Sequence, residues 1–259
     1  MHILKDYHSI EEFLKSKKKE ELQNIRLLYS HVSQRIRKIV ELCNKLGVET
    51  RSVGDAFLEK KLAECEPSSS HNRGVALLIE SDASLLKKES LETFFAKIRD
   101  KREASLFILD GISDCHNMGS IIRSAGQFGI DAIVLPRHNS ARGDETILKT
   151  SAGLACHVDI IEVANINKAI EKMKEAGFWI YASDVEGESL YTVKFPEKVA
   201  IVMGSEGDGI SRLVKKNCDC ILSIPTTRKI DSLNVSVAAG VVMYELKRLS
   251  YQNNTSHDY

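Results

Sequence analysis

The 259-residue sequence lacks the features that mark several large classes of protein. No stretch approaches the roughly 18 uninterrupted apolar residues that a membrane-spanning helix requires. The N-terminal stretch MHILKDYHSIEEF carries charges where a signal peptide needs an apolar run. With 43% hydrophobic and 28% charged residues, the composition is that of an ordinary soluble protein. Together these features predict a cytoplasmic protein.

The composition also gives no sign of a metal site or of bulk attraction to polyanions. The six cysteines are scattered and contain no C-x-x-C pair of the kind that binds zinc. They are expected to be small buried residues of a reduced protein, with Cys218 and Cys220 on the same face of a strand. Lys and Arg together number 36, as do Asp and Glu, and residues 1–100 carry a net charge of +2 against −2 for the remainder. Any site for a polyanion must therefore be a local patch.

The chain is long enough for two compact domains, and its periodicity divides it into two α/β regions. In the first, strand-like apolar runs alternate with helical ones, and a helix over 33–46 should end at Gly47. The predicted domains are a small α/β/α domain at 1–81, a linker with a connecting helix at 82–103, and a second domain at 104–259. Leu85 and Leu86 are assigned to the apolar side of the helical linker.

The second region repeats strand, loop and helix. SLFILD, DAIVLP, FWIYAS, VAIVMG and CILSIP are apolar strands, and a final helix is predicted from about residue 235 to residue 250, followed by a frayed tail. Apolar strands that alternate with helices are typical of a parallel sheet covered on both faces, so the predicted fold class is α/β. Ligands of such sheets bind beyond the carboxyl ends of the strands.

The first loop at such a strand end lies in DGISDCHNMGSIIRSAG. Asp114, His116 and Asn117 are suited to capping the helix that follows, which would leave backbone N–H groups facing an anion. Arg123 lies on that helix, six residues after Asn117. An ordinary helix cap with an exposed arginine explains this segment equally well.

Two further loops have a similar composition. In IVMGSEGDGIS, Gly204, Gly207 and Gly209 permit close backbone approach and positive φ angles, although a plain glycine turn would look the same. The loop lacks the dinucleotide fingerprint and the P-loop lysine, and Glu206 would repel a phosphate. In IPTTRKIDSLNVSVAAG, Ser232 or Asn234 is placed to cap the final helix.

Taken together and in this order, the strings DCHNMGSIIRSAG, IVMGSEGDGIS and IPTTRKIDSLNVSVAAG resemble the SpoU (TrmH) family of RNA 2′-O-ribose methyltransferases, of the SPOUT superfamily. SAG at 151–153 is a weaker fourth match. The resemblance spans about residues 104–249. The first 80 residues, with the segment SHNRGV, resemble the ribosomal-protein-like RNA-binding domain of the RlmB subgroup.

The resemblance implies a C-terminal α/β trefoil-knot domain that binds S-adenosyl-L-methionine and pairs with a second copy as a homodimer. Five residues are carried over by motif as catalytic: Asn117, Arg123, Glu206, Ser232 and Asn234. The cofactor is expected at six residues, largely through backbone groups: Met203, Gly204, Gly209, Ile224, Pro225 and Leu233. For Arg123 two roles stay open, a base or a clamp on an RNA phosphate, because a guanidinium normally stays protonated.

The sequence departs from the family pattern at Thr226, Arg228 and Cys156, and Arg228 is a candidate phosphate contact. The predicted substrate is structured RNA, with ribosomal (23S) RNA favoured over tRNA because of the small N-terminal domain. Recognition should depend on basic residues of that domain: Arg26, Arg35, Arg37, Lys38 and Arg73. Its aromatic residues Tyr7, Phe13, Tyr29 and Phe57 are expected to fill the core. The alternatives are a non-catalytic RNA-binding or ribosome-assembly factor and an enzyme that binds a nucleotide phosphate.

Overall fold

The computed structural model describes residues 2–65, 73–80, 85–137, 144–227 and 232–255. The chain forms two compact units. The first comprises Met1–Leu86 together with Gly143–His157, and the second comprises Lys87–Arg142 together with Val158–Tyr259. Among the described residues, no helix is both long enough and apolar enough to cross a membrane.

The first unit contains a four-stranded sheet with helices around it. Its elements before residue 86 are β1 (His2–Leu4), α1 (Tyr7–Ser16), β2 (Ile25–Tyr29), α2 (Gln34–Leu46), β3 (Glu49–Ser52), α3 (Asp55–Cys65) and β4 (Val75–Ile79). The strand order is β1-β4-β2-β3, with β4 antiparallel to both neighbours and β2 parallel to β3. The predicted alternation of helices and strands is confirmed, while the short β1 was not predicted.

Helix α2 shows how local sequence sets an element of this unit. The Ser33 side chain accepts the backbone N–H of Ile36 at 3.2 Å and so caps the first turn. Ile36, Ile39 and Cys43 recur on one face and are fully buried. Gly47 ends the helix with φ +77°, a conformation that glycine adopts without steric cost, which confirms the predicted terminator.

The aromatic residues of this unit are less buried than predicted. Phe13 is buried, whereas Tyr7 and Tyr29 are only half-buried. Phe57 is 44% exposed, with the Arg51 guanidinium 5.9 Å from its ring centroid. The prediction that all four fill the core was therefore wrong for Phe57, because apolar residues of α3 such as Leu58 fill the interior in its place.

Residues 143–157, which the sequence places in the second domain, group with the first unit. They form α6 (Asp144–Thr150) and a short 3-10 helix at Leu154–Cys156. The Glu145 carboxylate accepts the backbone N–H of Ile3 at 3.0 Å, and the Ser9 hydroxyl donates to the carbonyl of Leu148 at 3.4 Å. The segment also contains SAG, in which Gly153 has φ +86°. The contacts thus divide the chain differently from the predicted boundaries.

The second unit contains a seven-stranded sheet. Its elements are β5 (Lys88–Glu89), α4 (Leu91–Lys97), β6 (Ala104–Asp110), α5 (Cys115–Phe128), β7 (Ala132–Pro136), β8 (Asp159–Val163), α7 (Ile166–Glu175), β9 (Trp179–Ser189), β10 (Lys198–Gly204), α8 (Arg212–Asn217), β11 (Cys220–Ser223) and α9 (Val235–Thr255). The strand order is β11-β9-β10-β6-β7-β8-β5, and every described pairing is parallel. The predicted parallel sheet is confirmed.

Several details of this unit differ from the sequence reading. Strands β5 and β8 and helices α7 and α8 were not predicted. Leu85 and Leu86 are buried but lie before β5, outside any helix, so their assignment to a helical linker was wrong. Helix α9 continues to Thr255, past the predicted end at residue 250, and residues 256–259 of the expected tail lie outside the described part of the chain.

The prediction of buried cysteines is confirmed for Cys43 and Cys156, whereas Cys115, Cys218 and Cys220 are only half-buried. Cys218 follows α8 and donates through its thiol to the Val214 carbonyl at 3.3 Å, so it does not share a strand with Cys220. Burial raises the pKa of the Cys43 and Cys218 thiols to about 12, and that of Cys156 to about 11. Within the described residues, no group of three or more His, Cys, Asp or Glu side chains is arranged to hold a metal ion.

The sheet order decides where the conspicuous loops meet. Strands β6 and β10 are hydrogen-bonded neighbours, with Asp110 opposite Gly204 in their register. Strand β9 lies between β10 and β11. Because these strands are parallel, the loops that follow β6, β10 and β11 all leave the same edge of the sheet, as predicted.

Candidate active site

The loop after β6 leads into α5 through a single capping residue. The Asp114 carboxylate accepts the backbone N–H groups of His116 at 3.0 Å and Asn117 at 3.3 Å. The expectation that His116 and Asn117 also cap the helix was wrong, because both lie in its first turn. Their N–H groups are taken up by Asp114, which leaves the Asn117 side chain free for other contacts.

The loop after β10 folds back tightly on its own strand. Ser205 and Gly209 exchange two backbone hydrogen bonds of 3.1 Å, which close the loop into a narrow hairpin. A Cβ at Gly204 would lie 2.1 Å from the carbonyl carbon of Gly209 and 2.3 Å from the nitrogen of Ile210. Gly207 and Gly209 have φ angles of +95° and +67°. The predicted reasons for glycine, close approach and positive φ, are confirmed at these positions.

The loop after β11 ends at the cap of the final helix. The Asn234 side-chain oxygen accepts the backbone N–H groups of Ser236 at 2.9 Å and Val237 at 3.3 Å. Of the two predicted caps, Asn234 is therefore the one that the structure shows. Ser232 and Leu233 precede it and are exposed. Arg228, the candidate phosphate contact, lies outside the described residues.

Glu206 joins the three loops. Its Oε1 accepts the side-chain amide of Asn117 at 3.1 Å and that of Asn234 at 2.5 Å. The Asn234 amide also donates to the Asn117 side-chain oxygen at 3.0 Å, which completes a triangle of side chains. We call Asn117, Glu206 and Asn234 the carboxylate–amide cluster. Three residues predicted to be catalytic are thus in direct contact.

The Glu206 carboxylate also lies next to the start of the final helix. Glu206 Oε1 lies 3.5 Å from the backbone nitrogen of Val235, the first residue of α9. The N-terminus of a helix carries partial positive charge, which stabilises a nearby anion. Hydrogen bonds from amide donors to a carboxylate are stronger than those between neutral groups, so the cluster orders side chains that face solvent.

Arg123 projects from α5 as an exposed side chain. In the described part of the chain it has no ion pair and no hydrogen bond. Another face of α5 packs on α9, where a Cβ at Gly240 would lie 3.7 Å from the Ser124 hydroxyl and the rings of Phe128 and Tyr244 stand 6.1 Å apart. Arg123 is therefore carried on a fixed helix with its guanidinium available to a ligand.

The residues predicted to bind the cofactor lie around the same sheet edge. Met203 is buried at the end of β10, whereas Gly209 is exposed in the hairpin that follows. Ile224 is half-buried directly after β11, and Pro225 next to it is exposed. Leu233 is 39% exposed. The described contacts do not connect Arg123, Ser232 or these residues to the carboxylate–amide cluster.

Cys156, where the family pattern has an acid, is not part of this site. It lies in the first unit, is buried, and donates its thiol to the Leu85 carbonyl at 3.5 Å. None of the described contacts of Cys156 is with a residue of the carboxylate–amide cluster. Sequence reasoning missed Asp110, the last residue of β6, whose carboxylate accepts the backbone N–H of Ser211 at 2.8 Å. An acid ending an otherwise apolar strand was the available signal.

Comparison with known proteins identifies the relatives of the chain. A sequence model of the SpoU rRNA Methylase family matches residues 104–244. A relative in Borreliella burgdorferi, named as a tRNA/rRNA methyltransferase, is 34% identical over 225 residues, covering 85% of this chain and 96% of the relative. The 23S rRNA (guanosine-2'-O-)-methyltransferase RlmB of Xanthomonas campestris is 35% identical over 215 residues, 83% of each chain.

The fold agrees with these relatives. The SpoU methyltransferase AviRb from Streptomyces viridochromogenes, solved in complex with the cofactor AdoMet, matches with a TM-score of 0.74 and 21% identity, over 96% of this chain and 90% of AviRb. The family model covers more than half of the chain, and the relatives match along most of its length. This chain therefore belongs to the SpoU rRNA methylase family and is a methyltransferase whose cofactor is S-adenosylmethionine.

Proposed function

We propose that this enzyme transfers the methyl group of S-adenosylmethionine to a ribose 2′-hydroxyl of ribosomal RNA. The observation that carries the proposal is the carboxylate–amide cluster, which joins the loops after β6, β10 and β11 through Glu206. Its amide and carboxylate groups suit a ligand with hydroxyls better than a phosphate. Relatives named as 23S rRNA guanosine-2'-O-methyltransferases support the choice of ribose and of ribosomal RNA.

The reaction requires alignment and the loss of one proton. The sulfonium supplies an electrophilic methyl group, and a C–O bond forms at the 2′-oxygen as the C–S bond breaks. The products are the methylated ribose, S-adenosylhomocysteine and the hydroxyl proton, which passes to water. Since no bond is made to the protein, the contribution of the chain is to hold the 2′-oxygen in line with the methyl group.

Arg123 is proposed to hold an RNA phosphate next to the reacting ribose. A guanidinium stays protonated in proteins and presents donors in a fixed fork that matches a phosphate. The Arg123 side chain is exposed and forms no ion pair with a described residue, so no carboxylate competes for it. We therefore favour the clamp over the base.

The loops after β10 and β11 fit a cofactor bound through backbone groups. The hairpin 205–209 consists largely of small residues, and Ile224, Pro225 and Leu233 offer partly exposed apolar surface at the same edge of the sheet. A pocket of small and apolar groups with a few polar ones is typical for an adenosine-sized ligand. We propose that Met203, Gly204 and these residues receive S-adenosylmethionine.

The first unit is proposed to bind RNA through helix α2. Of the five predicted basic residues, Arg26 is paired with Glu49 at 2.9 Å and Arg73 with Asp6 at 2.7 Å. Arg35, Arg37 and Lys38 are exposed on α2 and have no ion pair among the described residues. We call these three residues the α2 basic patch. Their charges remain available to phosphates, although the chain as a whole is neutral.

A homodimer is proposed to form through helix α9. Val237, Val241 and Tyr244 follow one another at helical spacing and are 52%, 37% and 56% exposed. Tyr251, two turns further, is 63% exposed. Val242 and Met243 face the interior on the other side. We call the four exposed residues the α9 apolar stripe; a stripe of this kind marks a protein interface more often than a solvated surface.

The experiment that tests the proposed function offers S-adenosylmethionine labelled in its methyl group to unmodified 23S rRNA and, separately, to tRNA. The wild type is compared with R123A and R123K. We expect label in ribosomal RNA, retained at an alkali-resistant dinucleotide because a 2′-O-methyl group blocks cleavage. R123A should lower the rate at least a hundredfold without changing cofactor binding, and R123K should recover part of it.

Other outcomes would favour the remaining candidates. Label in tRNA alone would retain the methyltransferase and reject the ribosomal substrate. Bound S-adenosylmethionine with no label in either RNA would reject catalysis and favour a ribosome-assembly factor. A rate in R123A equal to that of the wild type would remove Arg123 from the site. The cytoplasmic location, which follows naturally from a ribosomal RNA substrate, remains a prediction.

A further inference from the structure

The carboxylate of Asp110 ties the end of β6 to the end of the hairpin loop. Its Oδ2 accepts the backbone N–H of Ser211 at 2.8 Å, immediately before α8 begins. In the register of the sheet, Asp110 lies opposite Gly204, where the same loop starts. The next residue, Gly111, has φ +75°, and a Cβ there would lie 3.6 Å from the Ser205 side chain. The end of β6 thus contacts the loop at both of its ends.

The loop leaves little room for displacement. The backbone of Gly209 and Ile210 passes so close to Gly204 that even a methyl group would overlap it. A shift at Ser211 is therefore transmitted to Ile210 and to the paired residues Ser205 and Gly209. Glu206 lies inside this hairpin, so its position depends on the same anchor.

Similar bonds elsewhere in the sheet serve as an internal comparison. Asp131 accepts the backbone N–H of Ser105 at 2.8 Å, near the start of β6 and at the opposite edge of the sheet from the site. That carboxylate also forms an ion pair with Lys101 at 2.7 Å. For Asp110, the described residues include no ion pair, and its one described hydrogen bond goes to the loop. Asp110 therefore differs from Asp131, whose carboxylate also forms an ion pair and whose hydrogen bond lies away from the site.

We propose that Asp110 is a positioning residue for S-adenosylmethionine. Its carboxylate fixes Ser211 and thereby holds the loop 204–211 in the shape that receives the cofactor. The inference rests on the proposed assignment of Gly204 and Gly209 to the cofactor site, and it adds a residue outside that assignment. Asp110 acts through Ser211 and takes no part in the transfer itself.

The test compares D110A, D110N and D131A in the full-length protein. Calorimetric titration with S-adenosylmethionine should show a dissociation constant about tenfold higher for D110A. D110N should stay within about threefold of the wild type, because its amide oxygen still accepts the Ser211 N–H. D131A loses a bond of the same kind at the other end of β6 and should bind within about twofold of the wild type.

Two further readouts separate positioning from general stability. D110A should raise the KM for S-adenosylmethionine while kcat at saturating cofactor and the KM for RNA change little. Hydrogen exchange of the cofactor-free protein should become faster in the peptide that contains 205–211 and stay unchanged around Ser105. The exchange experiment involves neither RNA nor cofactor, so it tests the anchor even if the proposed substrate is wrong.

Either of two results would overturn the inference. One is D110A binding the cofactor within twofold of the wild type with unchanged exchange in the loop. The other is D131A losing as much affinity as D110A, which would show that any loss of a carboxylate bond weakens the whole sheet. A wild type that binds S-adenosylmethionine but methylates no RNA would contradict the proposed function alone.

Discussion

At the scale of single residues, the site depends on one carboxylate that serves several partners. Glu206 accepts hydrogen bonds from Asn117 and Asn234, which are far apart in the chain. Without an acceptor between them, the two side chains would be joined to each other only by their mutual bond of 3.0 Å. The cluster is exposed, so water can replace a missing partner and the loss should affect geometry more than stability.

Replacement of Glu206 should therefore reduce catalysis with little change in stability. We expect E206A to lower kcat/KM for RNA by roughly a hundredfold, about 2.7 kcal/mol of transition-state stabilisation. E206Q should lose less, because its amide oxygen can replace Oε1 as the acceptor of both bonds, although a neutral acceptor binds more weakly than a carboxylate. The melting temperature should move by no more than about 2 °C in either variant.

Asp208 provides the matched control, since it is an exposed acid in the same hairpin. D208A removes the same charge from the loop without touching the cluster, and its activity should stay within about threefold of the wild type. Equal losses in D208A and E206A would show that the net charge of the loop matters and that the contacts of Glu206 do not.

At the scale of elements, the turn between α6 and the 3-10 helix shows the structural role of the SAG motif at 151–153. In SAG, Ser151 is fully buried, donates to the Leu148 carbonyl at 3.0 Å and accepts the Ala155 N–H at 3.2 Å. Gly153 then takes φ +86° against helix α1. The motif thus shapes a turn within the first unit, although the predicted boundaries placed it in the second domain.

G153A should destabilise the first unit strongly. The added Cβ would lie 2.6 Å from the Glu12 Cβ and 3.0 Å from the His8 carbonyl oxygen, and the positive φ is itself unfavourable for alanine. We expect a loss of about 3 kcal/mol in the free energy of unfolding, measured by urea denaturation. The conformational penalty alone accounts for only about 1–2 kcal/mol of this.

G47A isolates that conformational penalty in the same unit. Gly47 has φ +77°, but the atom nearest to an added Cβ is Cε of Lys19 at 3.2 Å, the far end of a flexible side chain that can move away. We expect G47A to cost about 1 kcal/mol. If the two variants were equally destabilised, the close contact with α1 would have no energetic consequence.

At the scale of the whole molecule, the net charge is zero and several apolar side chains are exposed. Binding to RNA or to a second copy must therefore depend on local surface patches. The α2 basic patch carries three exposed charges in the first unit that have no ion pair among the described residues. Substituting Arg35, Arg37 and Lys38 by alanine together should weaken RNA binding uniformly across sequences. The slope of log K against log salt concentration should fall by about two to three, one for each lost phosphate contact.

R26A is the control for this surface, because Arg26 is already paired with Glu49. Its affinity and salt slope should match those of the wild type. An unchanged slope in the triple variant, measured by filter binding between about 50 and 200 mM salt, would place the RNA-binding surface elsewhere.

The proposed dimer is tested on the α9 apolar stripe. V241E places a charge at the centre of the stripe, where burial in an interface would be costly, so we expect a monomer by light scattering. V185E is the control, because Val185 is 57% exposed on β9 and lies outside the stripe. Dimers of V241E as stable as those of the wild type would exclude α9 as the interface.

The parallel α/β sheet, the caps and glycines of its loops, and the family could be predicted from the amino-acid sequence alone. These features are local, because apolar runs, capping side chains and glycines influence the conformation of residues only a few positions away in the sequence. Gly204 illustrates this, since close backbone approach was one of two interpretations of the glycines after a buried strand, and the structure shows that approach.

Which of those residues contact one another could be seen only in the folded chain. Asn117 and Glu206 are 89 positions apart, and Asn117 and Asn234 are 117 apart. Their contact depends on the order and register of β6, β10 and β11, which no local periodicity encodes. The same holds for Asp110, which reaches a residue 101 positions away, and for residues 143–157, which pack with the first unit. Contacts between distant parts of a chain follow from how its elements pack, so they became visible only in the folded molecule.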